Sequence, residues 1–467
     1  MITKKSISLY FLSRTSVYLS GIFLLINTFL NGKIDVLLLT AVFLIVSIFL
    51  LELILLSMNI TLVSFFFVAL FCIGFYLKLG LIFYDPNIFG YSGFTTLGNF
   101  SFQFNDFLNL YLVIIISTLG ILCGIRLALI GVSKECNLQT FKYFEKDQIK
   151  KKYTIFLILI WFICSLGLMS FMDYFKIGIH GLSNQTEFPK FIAGLLNFLR
   201  GFYVFSIGFC IYDILIKNCS KSLKLFYFII FLSLVAIAAT KFTLNRSAAL
   251  FPIIPFLILL MCDNKNYFSK NIYKINFKTF FYSFLFLIFI SLASEFANQK
   301  RALLYSNLIV DLNFYNFLNS FIEFVVIRVE GIRELMLVVD YPNKGIESYI
   351  ELMLGIFSPA DELYNFSLEG TAFGVTVGFQ GQSFLSGSYF LSFVHSFIFF
   401  FILTKIEIFF KLRGLFVFSI YISFLLVSLV WMNVDFYTVI RIFFILFLIN
   451  FTVISIRKLF VITRFSK

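Results

Sequence analysis

Arginines at the edges of apolar segments are the residues of this sequence best suited to chemistry. Arg246 opens one apolar run, and Arg441 lies near the start of the last one. Arg328 and Arg333 flank Glu330 in a polar stretch between two such runs. A guanidinium group is planar, stays charged beside lipid and can bind two phosphate oxygens at once. Arginines that converge on one pocket would therefore bind a phosphate or diphosphate group; the alternative for each is snorkelling from lipid to water.

Candidates for a general base are fewer. Glu330 is the first of them, although it could instead form a surface pair with Arg333 at helical spacing. Glu369 is a second carboxylate in the same polar stretch, and His395 lies inside the apolar run SFVHSFIFF. An intramembrane histidine is a candidate for function by default, with a hydrogen-bonded helix contact as the alternative. His180, in the segment FKIGIHGLSNQ, is a weaker candidate for catalysis.

Metal and cofactor sites are not indicated. The chain has two histidines, no clustered cysteines and none of the phosphate-loop, dinucleotide-binding, zinc-protease or nucleophile-elbow motifs. We therefore expect neither a metal nor a cofactor.

The elements that would position these residues are membrane-spanning helices. Hydrophobic residues make up 60% of the 467 and charged residues 13%, with a mean hydropathy of +0.98. A crossing helix needs about 20 apolar residues. Such runs predict an all-α, polytopic protein with about twelve transmembrane helices. The predicted spans are 16–31, 35–57, 60–79, 108–131, 153–172, 202–217, 223–240, 247–262, 279–294, 388–404, 415–432 and 438–456.

The net charge of +13 is distributed in a way that sets topology. Most lysines and arginines fall at the two termini and in alternate loops, whereas the opposite short loops hold few, such as Lys33 and Lys78. The positive-inside rule then places both termini in the cytoplasm. The basic charge gives no reason to expect a nucleic-acid partner.

The chain therefore divides into three parts: helices 1–9 in 1–294, a large outward-facing loop in 295–387, and helices 10–12 with a cytoplasmic tail in 388–467. Within the loop, 317–327 is apolar but too short to cross, which is typical of an interfacial or re-entrant helix. The segment 346–357 predicts an amphipathic helix. The glycine-rich run GTAFGVTVGFQGQSFLSG that follows either lets helices pack closely or forms a flexible loop.

This pattern resembles the bacterial oligosaccharide repeat-unit polymerases, the Wzy-type polymerases of O-antigen and capsule. The resemblance lies in the architecture of nearly the whole chain, in TLNRSAALFPI around Arg246 and in RVEGIRELM with Arg328 and Arg333. It extends to DYPNKG and the glycine-rich run before the tenth span. Related ligases use a histidine in the large loop, and 295–387 has none. That difference favours a polymerase.

The resemblance implies a multi-helix glycosyltransferase fold of the C type (GT-C) in the bacterial inner membrane, with the large loop in the periplasm. It also implies a metal-independent transfer of a growing glycan from undecaprenyl diphosphate to a hydroxyl of another lipid-linked repeat unit. Arg246, Arg328, Arg333 and Arg441 would stabilise the diphosphate. Glu330, His395 or Glu369 would take the hydroxyl proton. Expected partners are undecaprenyl-diphosphate-linked oligosaccharides, membrane lipids, a chain-length regulator and a flippase.

Three other functions stay open at this point. An O-antigen ligase or a membrane-bound acyltransferase would share the broad architecture, and His395 alone could serve the latter. A flippase or secondary transporter would have a similar number of spans. Transporters usually consist of two related halves, and no internal repeat is visible in this sequence.

Overall fold

The structure is a computed structural model that describes residues 6–59, 61–84, 103–131, 274–276, 331–354 and 379–412, with six further positions between 163 and 174. In these residues almost all regular structure is helical. The long helices are α1 (Leu9–Asn31), α2 (Ile34–Leu55), α3 (Val63–Tyr84), α4 (Phe104–Leu129) and α8 (Tyr389–Leu412). The short ones are α5 (Ile332–Asp340), α6 (Ile346–Leu354) and α7 (Phe379–Phe384). Two strands, β1 (Ser6–Ser8) and β2 (Lys274–Asn276), form an antiparallel pair.

Four of the described helices are long and apolar enough to cross a membrane: Ile34–Met58, Val63–Tyr84, Phe104–Leu129 and Tyr389–Phe409. The first of these continues α2 through a 3-10 turn, Leu56–Asn59. The prediction of a helical membrane protein is thereby confirmed. Each of the four overlaps a predicted span, although three of their ends lie several residues from the predicted ones.

The core between α2, α3 and α4 is built from aromatic side chains whose hydroxyl groups are satisfied within the bundle. Phe43 stacks on Tyr111 with ring centroids 4.2 Å apart, and Tyr76 meets Phe43 edge-on at 6.2 Å. Tyr111 hydrogen-bonds Thr40 at 2.8 Å, and Tyr76 hydrogen-bonds Ser47 at 2.5 Å. Because lipid offers no partners to a hydroxyl group, these paired hydroxyls fix which faces of the helices meet.

A π-helical segment, Cys72–Leu77, lies in the middle of α3. The chain at Gly331, immediately before α5, lies directly against the carbonyl of Gly74 in this segment, with no room for a side chain. The glycine at 331 therefore allows the start of α5 to reach the middle of a membrane-spanning helix. Single π-helical turns inside α-helices are frequent at functional sites.

Helices α4 and α8 make the most extensive helix pair of the described residues, and glycines allow it. A Cβ atom at Gly120 or Gly124 would overlap the backbone carbonyl of Phe393 or Phe397 on α8. Small residues four apart let two membrane helices bring their backbones close together. This contact fixes the helix that carries His395.

We expect Gly124→Ala to destabilise the protein by about 1–3 kcal/mol, because the added methyl group forces two backbones apart. Gly167→Ala is the matched control, since a Cβ there would meet nothing within 4 Å. Thermal unfolding of the detergent-solubilised protein measures both. Equal melting temperatures for the two variants would show that the close approach of α4 and α8 does not contribute to stability.

One end of the bundle, here called the Glu407 end, is joined by polar contacts. Glu407 of α8 is fully buried and accepts hydrogen bonds from the Thr61 hydroxyl at 2.5 Å and from the backbone N–H of Leu62 and Val63 at 2.9 and 3.1 Å. The carboxylate thus satisfies N–H groups at the start of α3, where a negative charge is favoured. Arg14 of α1 pairs with Glu52 of α2 at 2.6 Å at the same end.

The β1–β2 pair adds a topological observation. Ser6 pairs with Asn276 and Ser8 with Lys274, immediately before α1 begins. Residues 274–276 therefore lie beside the start of α1.

The opposite end, here called the Tyr389 end, holds the described part of 295–387. Helix α5 is buried there, with Ile332, Met336 and Val338 at 0% exposure. Helix α7 is likewise buried along its whole length, and its first residue, Phe379, packs on Phe400 about halfway along α8. Neither of these two short helices was predicted from the sequence; the segment predicted to be interfacial, 317–327, lies outside the described residues. Both pack inside the bundle, and α7 carries the polar residues Gln380 and Gln382 into it.

Candidate functional site

The candidate site lies at the Tyr389 end and is centred on His395. The side chain is placed six residues into α8 and is half-buried. Its Nδ1 atom lies 2.8 Å from the hydroxyl oxygen of Tyr349, at hydrogen-bonding distance. The sequence singles out His395 as an intramembrane titratable residue, and the structure gives it a specific partner.

Tyr349 is held in place by the short helix α6. The backbone N–H of Gly345, just before α6, donates to the carbonyl of Leu385 at 2.9 Å, which ties the start of α6 to the turn between α7 and α8. That turn is made by Gly387, whose φ of +72° is a conformation that favours glycine. The sequence-predicted amphipathic helix, 346–357, is present over Ile346–Leu354, and its last three predicted residues lie outside the described part of the chain.

Phe379 of α7 closes one side of the histidine. Its ring centroid lies 5.0 Å from that of His395, and it also packs on Phe399 at 5.4 Å. Tyr349 meets the imidazole edge-on, with ring centroids 5.8 Å apart. The imidazole therefore lies between a polar partner and an apolar ring, an environment in which hydrogen bonds are stronger than in water.

The hydrogen bond to Tyr349 determines what the other ring nitrogen can do. Burial raises the pKa of Tyr349, so its hydroxyl group stays protonated at neutral pH. When His395 donates from Nδ1 to Tyr349, its Nε2 carries a lone pair and can accept a proton. When Tyr349 donates to Nδ1, Nε2–H becomes a donor. The pair can thus serve as a base or as a hydrogen-bond donor.

A charged pair lies near the start of α6. The ammonium group of Lys344 donates to the carbonyl of Val339, and Asp340 provides a nearby negative charge. Burial lowers the pKa of Lys344, an effect that the Asp340 carboxylate opposes. Oδ2 of Asp340 is buried without a hydrogen-bond partner. Lys344 is the lysine of DYPNKG, and no role was predicted for it from the sequence.

Lys78 is a second cation that the sequence assigned wrongly, to a short loop. The structure places it inside α3 with 0% exposure, because α3 continues to Tyr84 rather than ending at 79. It follows Gly74 by four residues, so it lies on the same side of α3 as the contact with Gly331. Lys78 has an interaction partner in the structure.

The other predicted site residues are not brought together by the described residues. Arg246, Arg328, Glu330, Glu369, Arg441 and His180 lie outside them, as does the predicted short helix 317–327. Arg333 is the second residue of α5, two positions from the contact between Gly331 and Gly74. Its backbone therefore lies near the middle of α3, on the side that carries Lys78. The predicted convergence of the arginines stays a prediction.

Sequence reasoning missed Tyr349, Lys78 and Gln380. Gln380 of α7 is 1% exposed, and neither its side-chain nitrogen nor its oxygen has a hydrogen-bond partner. Lys78 lies near the end of the predicted span 60–79 and was counted with the loop that follows; the apolar run that continues to Phe83 places it well within the helix. No signal in the sequence pairs Tyr349 with His395 or identifies Gln380 among the polar residues of its run.

No cluster of three or more histidine, cysteine or acidic residues that could hold a metal occurs in the part of the chain that the structure describes. No family model, curated protein or solved structure matches this chain, so that its function must be inferred from its residues and their arrangement.

Proposed function

We propose that this chain is an oligosaccharide repeat-unit polymerase, which joins undecaprenyl-diphosphate-linked repeat units into O-antigen or capsular polysaccharide. The observation that carries the proposal is the hydrogen-bonded His395–Tyr349 pair at one end of an apolar, membrane-spanning bundle. A site at the end of a membrane-spanning bundle suits a substrate whose sugars lie in water and whose polyprenyl chain lies in lipid.

The rest of the architecture follows from the same proposal. The chain would have about twelve spans in a GT-C-like arrangement in the bacterial inner membrane. The Glu407 end and both termini would face the cytoplasm, and the Tyr389 end the periplasm. The large loop 295–387 would then supply Arg328, Arg333 and the α5, α6 and α7 helices to one periplasmic site.

The reaction is a displacement at a sugar carbon. The oxygen of an acceptor hydroxyl group forms a bond to the anomeric carbon of the donor glycan. The bond from that carbon to the diphosphate oxygen breaks, and undecaprenyl diphosphate leaves with the electron pair. The hydroxyl proton passes to a base, for which His395 Nε2, Glu330 and Glu369 are the candidates.

The leaving diphosphate gains negative charge as the bond breaks, so cations placed around it lower the barrier. Arg246, Arg328, Arg333 and Arg441 are the proposed ligands. Lys78 is a further source of positive charge, because it is buried on the side of α3 against which the start of α5 packs. A buried charge in a membrane span is costly and is generally retained for function.

We expect polymerisation to persist in excess EDTA, because the proposed site neutralises the diphosphate with side chains and uses no metal. Polymer yield from purified protein and lipid-linked repeat units measures this. Loss of activity that returns on addition of Mg²⁺ or Mn²⁺ would contradict the metal-independent mechanism.

Deletion of the gene tests the proposed function in cells. Loss of a polymerase should leave single repeat units on the final acceptor, since flipping and ligation continue. Loss of a flippase would leave unflipped precursor, and loss of a ligase would leave polymer on the lipid carrier. Either of these last two results would overturn the proposal.

A further inference from the structure

The inference concerns two buried glutamines on the short helix α7. Gln380 is 1% exposed and Gln382 is 2% exposed. Gln382 has an interaction partner in the structure, whereas both polar atoms of the Gln380 side chain lack a hydrogen-bond partner. A side-chain amide offers two donors and one acceptor. Leaving all of them buried and unpaired destabilises a protein, so such a residue requires an explanation.

The location of Gln380 offers an explanation for its unpaired amide. The residue directly follows Phe379 on α7, and the ring of Phe379 packs on His395. Unused hydrogen-bonding capacity therefore occurs on the short helix that contacts the candidate base.

The chemistry of an amide fits a particular ligand. Neighbouring hydroxyl groups of a sugar present a donor and an acceptor side by side, which an amide can bind at the same time. A site built to bind a hydroxyl group discriminates strongly, because its polar groups stay unpaired when the hydroxyl is missing. Apolar C–H groups of the sugar ring could pack on the adjacent Phe379.

We propose that Gln380 binds hydroxyl groups of the acceptor sugar and holds the attacking hydroxyl group near His395. This inference rests on the proposed polymerase function. It assigns Gln380 a role in substrate affinity and selectivity, separate from proton transfer and from stabilisation of the diphosphate.

The test replaces Gln380 with methionine, which has a similar volume and no hydrogen-bonding amide. Removing an unpaired buried amide should leave the melting temperature of the substrate-free protein unchanged or higher. The concentration of lipid-linked repeat unit that gives half-maximal rate should rise at least tenfold. The repeat units are those extracted from cells in which the gene is deleted. Gln382→Met is the matched control, and should lower the melting temperature while leaving that concentration unchanged.

Two results would overturn the inference. Failure of Gln380→Met to fold, or a lower melting temperature, would show that the amide is a structural partner within the protein. An unchanged half-maximal concentration in a folded Gln380→Met variant would show that the amide does not contact the substrate. If Arg328→Ala is then inactive, the proposed function stands without this inference. If the wild-type protein makes no polymer at all, the proposed function itself fails.

Discussion

Arg328→Ala is expected to abolish polymer while the protein still inserts into the membrane, and Arg246→Ala is expected to do the same. Each replacement removes a charged donor from the developing diphosphate. Loss of one such donor lowers the rate by about 10²–10³-fold. Polymer yield and length in cells, with the amount of protein in the membrane fraction, measure the effect.

Arg126→Ala is the matched control for these variants. Its guanidinium group donates to the carbonyl of Leu53 at 2.7 Å and lies toward the Glu407 end, away from the candidate site. This variant should keep normal polymer. Normal polymer length and yield from both Arg328→Ala and Arg246→Ala would contradict the role proposed for the arginines in binding diphosphate.

His395→Ala should lower the rate of polymerisation by about 10²–10⁴-fold if His395 takes the hydroxyl proton, which is the usual contribution of a positioned acid or base. Tyr349→Phe should have a smaller effect, about tenfold, because it removes one hydrogen bond and leaves the imidazole present. Both should lower the maximal rate more than they change the half-maximal concentration of repeat unit.

The two variants together separate catalysis from packing. Phe at 349 retains the ring that meets the imidazole edge-on, so a loss in Tyr349→Phe is a consequence of the missing hydroxyl group. A fully active His395→Ala variant would exclude His395 as the base and leave Glu330 and Glu369 as the candidates.

The helices themselves could be predicted from the sequence because apolar runs of sufficient length have few alternatives to spanning a membrane. The residues at which these helices begin and end could not be predicted in the same way. Helix α1 begins at Leu9 rather than 16, and the hydroxyl groups of Thr15 and Ser16 bond back to carbonyls of the preceding turn, at 2.8 and 3.0 Å. Polar residues can thus belong to a helix beyond the apolar segment from which hydropathy predicts it.

The end of α8 shows the same effect more strongly. The predicted span ends at 404, whereas the helix continues to Leu412 through Lys405 and Glu407. Glu407 is charged in the sequence yet buried in the structure, because its carboxylate satisfies N–H groups at the start of α3. That partner lies more than 300 residues earlier, and hydropathy contains no information about it.

The glycines of the large loop illustrate an ambiguity that the sequence could not resolve. Two glycines of the glycine-rich run are described, and they lie in different local structures. Gly381 lies within the buried helix α7, and Gly387 makes a turn with positive φ. The strongest glycine contact between spans is instead on α4, at Gly120 and Gly124.

The candidate site was only partly predictable. His395 could be found because a histidine in an apolar run is unusual. Its partner could not, since Tyr349 is one of 23 tyrosines and lies 46 residues away along the chain. Gln380 becomes notable only when its burial and its lack of partners are known.

Reconstitution tests the central claim most directly. The purified protein would be placed in liposomes with lipid-linked single repeat units on the face that carries the Tyr389 end, and the products would be separated by size. We expect a ladder of two, three and more repeat units on the lipid, with release of undecaprenyl diphosphate. Single units only, whether they stay in place or move across the membrane, would contradict a polymerase.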